Sequence, residues 1–422
     1  MPRCKLEVPN AERTPRVVKA GVWGSPEEEA AWVSKVSEPA TGLLRMWLVL
    51  VTGGMFHVFL GYAVFGALVS EFVLGLPWYY TVGGFMAAYE AYVTLSKTEM
   101  GGAPDPHIRG QQALSTLQDY LSLVCVIPDG VDLDPRPDEA PPTYVFGAHP
   151  HGIHAFGCSA LNFAGNDMAR FFPRVWHRLT GAVATVIFRV PVVRAVMLAH
   201  GYRDASRKAC ERVLREGRSV TLVLGGEQES IRTRAGRDAV WMVKRKGFVR
   251  LAMREGADVV PTYSFGLVDV YHYAYALQGL RMWMVNALQV CVPLFWGVGG
   301  TPCPLPVPVR TVVAEPVRVP RMAHPHPAVV EDVYNRYIGR LERLFEDHKA
   351  AAGYPEARTL SVERDAPLSG ASLDAAVSKF RAYLRRKMGE EEGGRAFDAA
   401  HAQAVKLLGA EKAGTPETRK DR

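Results

Sequence analysis

Cysteine is scarce and scattered in this chain of 422 residues. The six cysteines are Cys4, Cys125, Cys158, Cys210, Cys291 and Cys303. They form no Cys-x-x-Cys pair and follow no regular spacing, so the sequence indicates neither a zinc knuckle nor a disulfide framework. We expect reduced thiols that face the cytosol.

Metal-binding patterns are missing as well. No His-Glu-x-x-His segment occurs, and the neighbouring histidines His149, His151 and His154 are interrupted by Pro150 and have no adjacent carboxylate pattern. A metal hydrolase built on these histidines is therefore a weak alternative. We expect no bound metal and no bound cofactor.

The apolar core of a secretory signal is absent too. Residues Met1–Arg16 are polar and lack the hydrophobic region that follows the basic residues of a cleaved signal. We expect no signal peptide, and we assign residues 1–43 to a polar cytosolic segment. The net charge of +7 fits an anionic membrane, a polyphosphate or nucleic acid equally well, so charge alone selects no partner.

Charged side chains are absent from two long stretches near the N-terminus. Met46–Ser70 has none, and Phe72–Tyr89 follows after the single charge at Glu71. Buried helices of a soluble core would normally show a polar stripe, which is the alternative weighed against membrane insertion. The pattern predicts a membrane hairpin over residues 44–97 with both ends in the cytosol. Whether the hairpin spans the bilayer or only enters it stays open.

From Thr143 onward, short β-branched runs alternate with helical patterns. The predicted strands are Tyr144–Ala148, Ala182–Phe188, Ser219–Leu224 and Ala257–Ser264. The predicted helices are Ala205–Gly217, Asp238–Glu255 and Val329–Lys349. This alternation predicts an α/β sheet layer inside a catalytic domain over residues 98–355, and Met282–Val298 is interpreted as a membrane-dipping or substrate-channel element.

The C-terminal part is more polar. Residues 356–422 are predicted to form a polar extension with one helix, Asp374–Met388, before a frayed tail from Gly409. A second histidine-proline run, His324 to Pro327, lacks a following glycine and lies in a Pro-rich segment, so a connector role is predicted for it.

The sequence His149-Pro150-His151-Gly152 ends the predicted strand Tyr144–Ala148. Acyl transfer from a thioester to an alcohol needs a base for the alcohol proton and donors for the developing oxyanion. A histidine can supply the base, and Gly152 removes side-chain bulk where backbone N–H groups approach a carbonyl. The alternative is that both histidines only bond neighbouring backbone groups.

This stretch, together with several others, resembles the type-2 diacylglycerol acyltransferase family, which includes monoacylglycerol and wax-alcohol acyltransferases. The further matching pieces, in the family's order, are Leu133-Asp134-Pro135, Pro191-Val192-Val193-Arg194, Gly225-Gly226-Glu227-Gln228-Glu229, Arg245-Lys246-Gly247-Phe248, Val260 to Gly266 and Thr311 to Pro316. The ordered set covers about Leu44 to Pro355. The resemblance implies a glycerolipid-acyltransferase-like sheet-and-helix domain behind a membrane hairpin.

The resemblance also assigns roles. His151 is the predicted general base because it directly precedes Gly152, and His149 is supportive. Glu229 is the first candidate to orient the histidine, because its motif follows the strand Ser219–Leu224; a helix cap or an ion pair with a nearby arginine is the alternative. The residues assigned to substrate binding are Arg194, Gly225, Gly226, Arg234, Arg237 and Phe265. Arg234 and Arg237 belong to a basic region, Arg203–Arg254, that suits either CoA phosphates or anionic headgroups.

Two departures from the family pattern affect these assignments. Family members commonly continue Phe-Gly-Glu, whereas this chain has Leu267 after Phe265-Gly266. Related phosphate-accepting acyltransferases place an Asp four intervening residues after the catalytic histidine, whereas Phe156 stands at that offset from His151. The choice of acceptor and the partner that orients His151 are therefore left open.

The resemblance implies an acyl-CoA-dependent O-acyltransferase that forms triacylglycerol from diacylglycerol. Monoacylglycerol or a long-chain alcohol is an alternative acceptor, and a catalytically inactive lipid-binding membrane protein is a further alternative. The expected partners are acyl-CoA, a diacylglycerol-like lipid, the membrane and a second copy of the chain, with no nucleic acid. The expected location is the endoplasmic reticulum membrane, with the catalytic domain cytosolic, or the lipid droplet surface.

Overall fold

The computed structural model describes residues 64–102, 121–134, 139–162, 167–190, 193–288, 291–409 and 412. The predicted polar segment 1–43 and most of the first predicted arm, Met46–Ser70, lie outside the described residues. So do Pro135, Pro191 and Val192 of the matching motifs, and nearly all of the predicted tail from Gly409.

Seven strands of the described residues form one mixed sheet. In chain order the strands are β1 (Val124–Val126), β2 (Tyr144–His149), β3 (Leu179–Val183), β4 (Arg203–Asp204), β5 (Ser219–Val223), β6 (Ala239–Trp241), β7 (Asp258–Phe265), β8 (His272–Tyr273), β9 (Phe295–Trp296), β10 (Arg310–Val313) and β11 (Ser361–Glu363). The order across the large sheet is β1-β10-β7-β2-β5-β3-β4. Only the β10–β7 pairing is antiparallel in this sheet. Two small pairs, β11–β6 and β8–β9, stand outside it.

Helices connect and cover these strands. They are α1 (Trp78–Ser96), α2 (Phe156–Asn162), α3 (Asp167–Phe171), α4 (Pro173–His177), α5 (Val193–Ala199), α6 (Arg207–Arg215), α7 (Gly226–Arg232), α8 (Gly247–Glu255), α9 (Gln278–Trp283), α10 (Pro327–Lys349), α11 (Gly370–Met388) and α12 (Glu390–Leu408). Short 3-10 or π-helical turns occupy Val69–Val73, Thr98–Met100, Thr185–Arg189, Leu267–Asp269, Met284–Leu288 and Val298–Gly300. The predicted mixed α/β architecture is confirmed.

Strand β2 lies in the middle of the sheet and is buried along its whole length. Val145 belongs to the core layer that packs under α10, whereas Tyr144 and Phe146 belong to the layer under α2. Such alternation is expected of a strand covered on both faces. β2 runs parallel to both β5 and β7, so the carboxyl ends of these three strands meet at one edge, where open α/β sheets bind their ligands.

The predicted strand Ala182–Phe188 is displaced. β3 begins at Leu179 and pairs with β5, and residues Thr185–Arg189 form a 3-10 turn instead. Gly181 is needed in β3, because a Cβ there would lie 2.2 Å from the ring of Tyr202. The β-branched residues after Ala182 therefore belong to a turn beyond the strand end.

The predicted helix Asp238–Glu255 is wrong in its first half. Residues Ala239–Trp241 form β6, and the helix α8 begins only at Gly247. The reason is tertiary, since Val240 pairs with Val362 of the distant strand β11. Lys244 then takes a left-handed conformation, with a φ of 59°, which no helix interior allows.

A helical turn precedes α1. Residues 64–68 are helical and continue into the π-helical turn Val69–Val73. A Cβ added to Gly66 would lie 3.5 Å from Val82, so the two helical segments lie side by side. The predicted return arm, Phe72–Tyr89, thus begins in the last two residues of the π-helical turn, and its α-helix runs from Trp78 to Ser96.

Within the described ranges, no helix combines the length and the hydropathy that a bilayer crossing requires. Most of the first arm falls among residues 46–63, outside those ranges. The membrane hairpin over residues 44–97 stays a prediction.

The C-terminal extension packs on the catalytic body. β11 pairs with β6, and α11 and α12 pack against each other and against α10. His326, in the second histidine-proline run, caps α10 by accepting a hydrogen bond from the N–H of Ala328. His401 of α12 lies 3.2 Å from the other ring nitrogen of His326. The run therefore has the structural role that its Pro-rich setting predicts.

Candidate active site

The His149-Pro150-His151-Gly152 turn follows the carboxyl end of β2, beside the carboxyl ends of the parallel strands β5 and β7. The peptide bond between His149 and Pro150 is cis. Gly152 has a φ of +61°, and a Cβ there would lie 3.2 Å from Leu267. Glycine is thus required at this position both by its backbone conformation and by the close approach of Leu267. The departure from the family pattern at residue 267 places a buried apolar side chain against the turn.

His151 is half-buried. A hydrogen bond from its ring shows which ring nitrogen carries the proton. Nδ1 lies 3.0 Å from the carbonyl oxygen of Gly152. A carbonyl oxygen only accepts, so Nδ1 carries the proton and Nε2 carries the lone pair. Burial lowers the pKa of His151, which favours the neutral ring. The imidazole can therefore take up a proton at Nε2.

Glu229 reaches the same turn from α7. Its carboxylate accepts hydrogen bonds from the backbone N–H of His151 and from that of Trp241, the second at 2.6 Å. The predicted proximity of Glu229 and His151 is present, but the contact is to the main chain and not to the imidazole ring. Gly225 permits it, because a Cβ there would lie 2.0 Å from a carboxylate oxygen of Glu229. Glu229 thus holds the turn in place.

Burial controls the charge of Glu229. The side chain is almost fully buried, and this raises the pKa of Glu229 to about 7, while the two backbone N–H groups and Arg245 oppose the shift. Arg245 also lowers the pKa of His151 through its charge, so it lies near both groups. Arg245 donates to the carbonyl of Gly225 at 3.1 Å, and Gly226 turns with a φ of +59° beside its guanidinium.

His149 faces the core instead of the cleft. It is fully buried, and its Nε2 lies 2.9 Å from the hydroxyl of Tyr337 in α10. Burial lowers the pKa of His149 to about 3, so the ring is neutral at physiological pH. The sequence predicted the helix Val329–Lys349, which contains Tyr337, but not its contact with His149. The available signal was its hydroxyl, because a buried tyrosine normally needs a hydrogen-bond partner.

A cavity of about 340 Å³ opens on the other side of Glu229. Its lining includes Arg232, Arg234, Arg237, Trp241 and Glu363. The guanidinium of Arg232 lies 3.8 Å from the ring centre of Trp241, and Arg237 lies 4.0 Å from Glu363. Other arginines of the predicted basic region are paired with glutamates, as in Arg207–Glu211, Arg212–Glu216 and Arg215–Glu255. The arginine cavity is therefore a part of that region where positively charged side chains surround an open cavity.

Arg194 does not line the arginine cavity, and its role in substrate binding stays a prediction. The side chain is buried and forms an ion pair with Glu99, with Nη2 and Oε2 2.6 Å apart. The same nitrogen donates to the hydroxyls of Ser96 and Thr98. Ser96 is the last residue of α1, and Thr98 and Glu99 follow it closely. Arg194 therefore holds the end of that helix against the sheet domain.

Phe265 is a core residue, and its assignment to substrate binding stays a prediction. It is buried in an aromatic cluster, with its ring centre 4.9 Å from that of Tyr263 and 5.4 Å from those of Phe345 and Tyr354. The strand alternation of β7 directs this side chain into the layer under α10. No described surface of Phe265 is open to a ligand.

The histidines near the turn are not grouped with other metal ligands in the described residues. Within the described part of the chain, no three His, Cys, Asp or Glu side chains are arranged to hold a metal ion. His154 packs instead in an aromatic cage, with ring centres 5.5 Å from Phe156, 5.7 Å from Tyr271 and 5.6 Å from Phe295.

The sequence is similar to those of known acylglycerol acyltransferases. A family model described as diacylglycerol acyltransferase matches residues 109–363. The chain is 33% identical over 292 residues to 2-acylglycerol O-acyltransferase 3 of Homo sapiens, covering 64% of this chain and 81% of that protein. It is 33% identical over 241 residues to diacylglycerol O-acyltransferase 2 of Rattus norvegicus, covering 52% and 60%, and 31% identical over 282 residues to the Dictyostelium discoideum protein of the same name, covering 63% and 82%.

One solved structure is also similar. The crystal structure of the 1-acyl-sn-glycerophosphate (LPA) acyltransferase from Thermotoga maritima aligns with 67% of this chain and 97% of its own, at a TM-score of 0.30 and 14% identity. The chain spans less than two thirds of the rat relative's length.

Proposed function

Because the chain belongs to the diacylglycerol acyltransferase family, we propose that it transfers a fatty acyl group from acyl-CoA to diacylglycerol and so forms triacylglycerol. The protein is an enzyme, an O-acyltransferase of lipid biosynthesis. We assign the proton transfer to His151 because its Nδ1 donates a hydrogen bond to the carbonyl of Gly152. It leaves Nε2 as the unprotonated nitrogen beside the turn.

The reaction uses His151 as the general base. Nε2 takes the hydroxyl proton of the acceptor while the acceptor oxygen attacks the thioester carbonyl carbon. The tetrahedral intermediate then collapses, the C–S bond breaks, and the thiolate of CoA takes the proton back from the imidazolium. A positioned base of this kind contributes about 100- to 10,000-fold in rate.

Glu229 and His149 are positioning residues. Glu229 fixes the backbone of His151 from one side, and the Tyr337 hydroxyl fixes His149 from the other. Neither side chain needs to exchange a proton with the substrate. Gly152 leaves the turn open, so its backbone can approach the thioester carbonyl.

Acyl-CoA is the proposed co-substrate, and its phosphates bind at the arginine cavity. Arg234 and Arg237 are exposed at this cavity, and planar guanidinium groups bind phosphate oxygens in pairs. The cavity adjoins Glu229, which contacts the backbone of His151. A cofactor bound there can therefore direct its thioester toward the turn.

A second candidate acceptor is monoacylglycerol. The human relative at 33% identity is named a 2-acylglycerol O-acyltransferase. Leu267 places an apolar side chain beside Gly152, where the family commonly has a carboxylate. This contact favours an acceptor with a single hydroxyl over monoacylglycerol, which carries a second free hydroxyl. Long-chain alcohols fit the same argument.

The proposed location is the endoplasmic reticulum membrane or the lipid droplet surface, with the sheet domain in the cytosol. The support is the uncharged sequence of Met46–Ser70 and Phe72–Tyr89. Alkaline carbonate should leave the full-length protein in the membrane pellet. Release into the supernatant would contradict the hairpin.

The experiment that tests the function is product analysis. Membranes that contain the full-length protein are supplied with radiolabelled oleoyl-CoA and with diacylglycerol, 2-monoacylglycerol and a long-chain alcohol in competition. We expect triacylglycerol as the main product, and we expect His151→Gln to lower its formation by about 100-fold or more.

The matched control is His324→Gln, which changes a histidine of the second histidine-proline run away from the turn. Activity of His151→Gln above about a tenth of wild type would exclude the general-base role. Absence of any acylated product from the wild type would favour the lipid-binding alternative instead.

A further inference from the structure

A second apolar surface lies far from the N-terminal hairpin in sequence. Between Asp269 and Arg310 the only formally charged side chain is Arg281. We call the described residues of this segment, 270–288 and 291–309, the apolar lobe. Among the described residues outside 64–96, twelve large hydrophobic side chains are exposed, and nine of them lie in this lobe. Exposed apolar side chains concentrated in this way indicate an interaction site.

The lobe hides its single charge. Arg281 is 5% exposed, and it donates from Nε to the carbonyl of Ala276 and from Nη2 to the carbonyl of Ala274, both at 3.0 Å. These bonds lie within the lobe and hold its first turn. The outer surface is therefore left to apolar side chains such as Leu277 and Trp283, which are 70% and 55% exposed.

The lobe is braced against the catalytic elements. Gln228 of α7 donates to Asn286 at 2.8 Å, and Arg232 donates to the sulfur of Met282. Phe295 packs on His154, two residues after Gly152. A ligand or membrane that contacts the lobe is therefore adjacent to the turn that contains His151.

A lipid surface fits this lobe better than a protein partner does. Protein interfaces normally have a polar, charged rim, but the lobe has none of its own. Two exposed tryptophans within the lobe, Trp283 and Trp296, are typical of segments that lie at the bilayer interface. Arg234, which stacks 4.8 Å from the ring of Tyr275, places a phosphate-binding group at the border.

We propose that the apolar lobe docks into the surface of a lipid bilayer, as a contact separate from the N-terminal hairpin. This goes beyond the proposed acyl transfer and does not depend on it. If transfer also takes place, the acceptor lipid reaches the His151 turn from the side of the lobe.

Site-specific photocrosslinking tests the docking. The photoreactive residue benzoylphenylalanine is placed in the full-length protein at Leu277 or Leu288, and at Tyr383 as an exposed control on α11. The protein is reconstituted in vesicles of phosphatidylcholine and phosphatidylserine with a radiolabelled phosphatidylcholine. We expect about tenfold more lipid adduct from 277 and 288 than from 383.

A charge in the lobe provides the second measurement. Leu277→Glu, combined with the probe at 288, should lower the lipid adduct about tenfold, whereas Leu407→Glu, an exposed apolar position on α12, should not. Equal adducts at 288 and 383 would overturn the proposal. So would adducts formed mainly with a second copy of the chain, which would make the lobe a subunit interface. Neither result requires turnover, so failure of the docking and failure of the acyl-transfer function are distinguished.

Discussion

The hydroxyl of Tyr337 lies 2.9 Å from Nε2 of His149, although 188 residues separate the two in sequence. The same hydroxyl lies 3.3 Å from the carbonyl oxygen of Gly147. Because that carbonyl only accepts, all three groups are satisfied when Tyr337 donates to Gly147 and His149 donates from Nε2 to Tyr337. A Cβ at Gly147 would lie 1.9 Å from the hydroxyl, so glycine is what lets α10 approach β2.

Replacing Tyr337 tests whether His149 only supports the turn. Tyr337→Phe keeps the ring contact with Phe248 but leaves a buried imidazole nitrogen unpaired, which should cost about 1–3 kcal/mol of stability. We expect a lower Tm and a modest loss of kcat. The control is Tyr334→Phe, which removes the hydrogen bond from Tyr334 to Met242 on the same helix. A kcat loss as large as that of His151→Gln would instead make His149 the base.

Glu229→Gln tests the hold on the His151 backbone. The amide keeps one acceptor oxygen, but its NH₂ group then faces one of the two backbone N–H donors that the carboxylate satisfies. We expect kcat to fall about 10- to 100-fold with little change in the KM for acyl-CoA, measured in the same membranes. Glu227→Gln, two residues earlier in α7, is the matched control. Unchanged kcat in Glu229→Gln would remove Glu229 from the positioning role.

The pH dependence of kcat/KM distinguishes the two titrating groups. Burial lowers the pKa of His151, and the neutral ring is the active base, so activity should be lost only as pH falls below about 6.5. Burial raises the pKa of Glu229 to about 7, so a limb near 7 would mean that ionised Glu229 is required. We expect the lower limb, and we expect it to persist in Glu229→Gln. A limb near 7 that disappears in this variant would contradict the assignment.

The sequence predicted those parts of the site that are local along the chain. The turn after β2 was found because a predicted strand ends at Ala148, and Glu229 was placed near it because its motif follows the predicted strand Ser219–Leu224. The parallel pairing of β2 and β5 explains why both strand ends lie at the same edge. The contacts that were missed are distant in sequence. Tyr337 reaches His149 from α10, and Val240 was placed in a helix because its strand partner, Val362, lies in the C-terminal extension. Neither pairing leaves a local periodic signal.

Arg194 was assigned to substrate from a motif, and its buried ion pair gives a different expectation. Arg194→Ala leaves Glu99 buried without its partner, which should cost about 3–5 kcal/mol and lower the amount of folded protein. The double variant with Glu99→Ala should recover much of this stability. Specific activity per folded molecule should stay near wild type in both, measured after quantifying the folded fraction. A raised KM for acyl-CoA with normal stability would support the substrate-binding role.

Arg234 and Arg237 carry the proposed contact with CoA. If their guanidinium groups bind the phosphates, replacing both with Ala should raise the KM for acyl-CoA about tenfold and leave the KM for the acceptor nearly unchanged. Arg395→Ala, on the exposed face of α12, is the control for loss of an exposed arginine away from the cavity. Equal increases in both KM values would favour a role at the membrane surface.

Glu363 gives a test of opposite sign at the same cavity. Its carboxylate lies 4.0 Å from Arg237 and competes with a phosphate for that guanidinium. Glu363→Gln removes the competing charge, so the KM for acyl-CoA should fall, whereas loss of the arginines should raise it. Both side chains are largely exposed, so solvent screens their interaction and the decrease should be small, about two- to threefold. The difference should shrink as salt is added, because screening weakens contacts between exposed charges. A KM that rises in Glu363→Gln would mean that the carboxylate holds Arg237 in its binding position instead of competing for it.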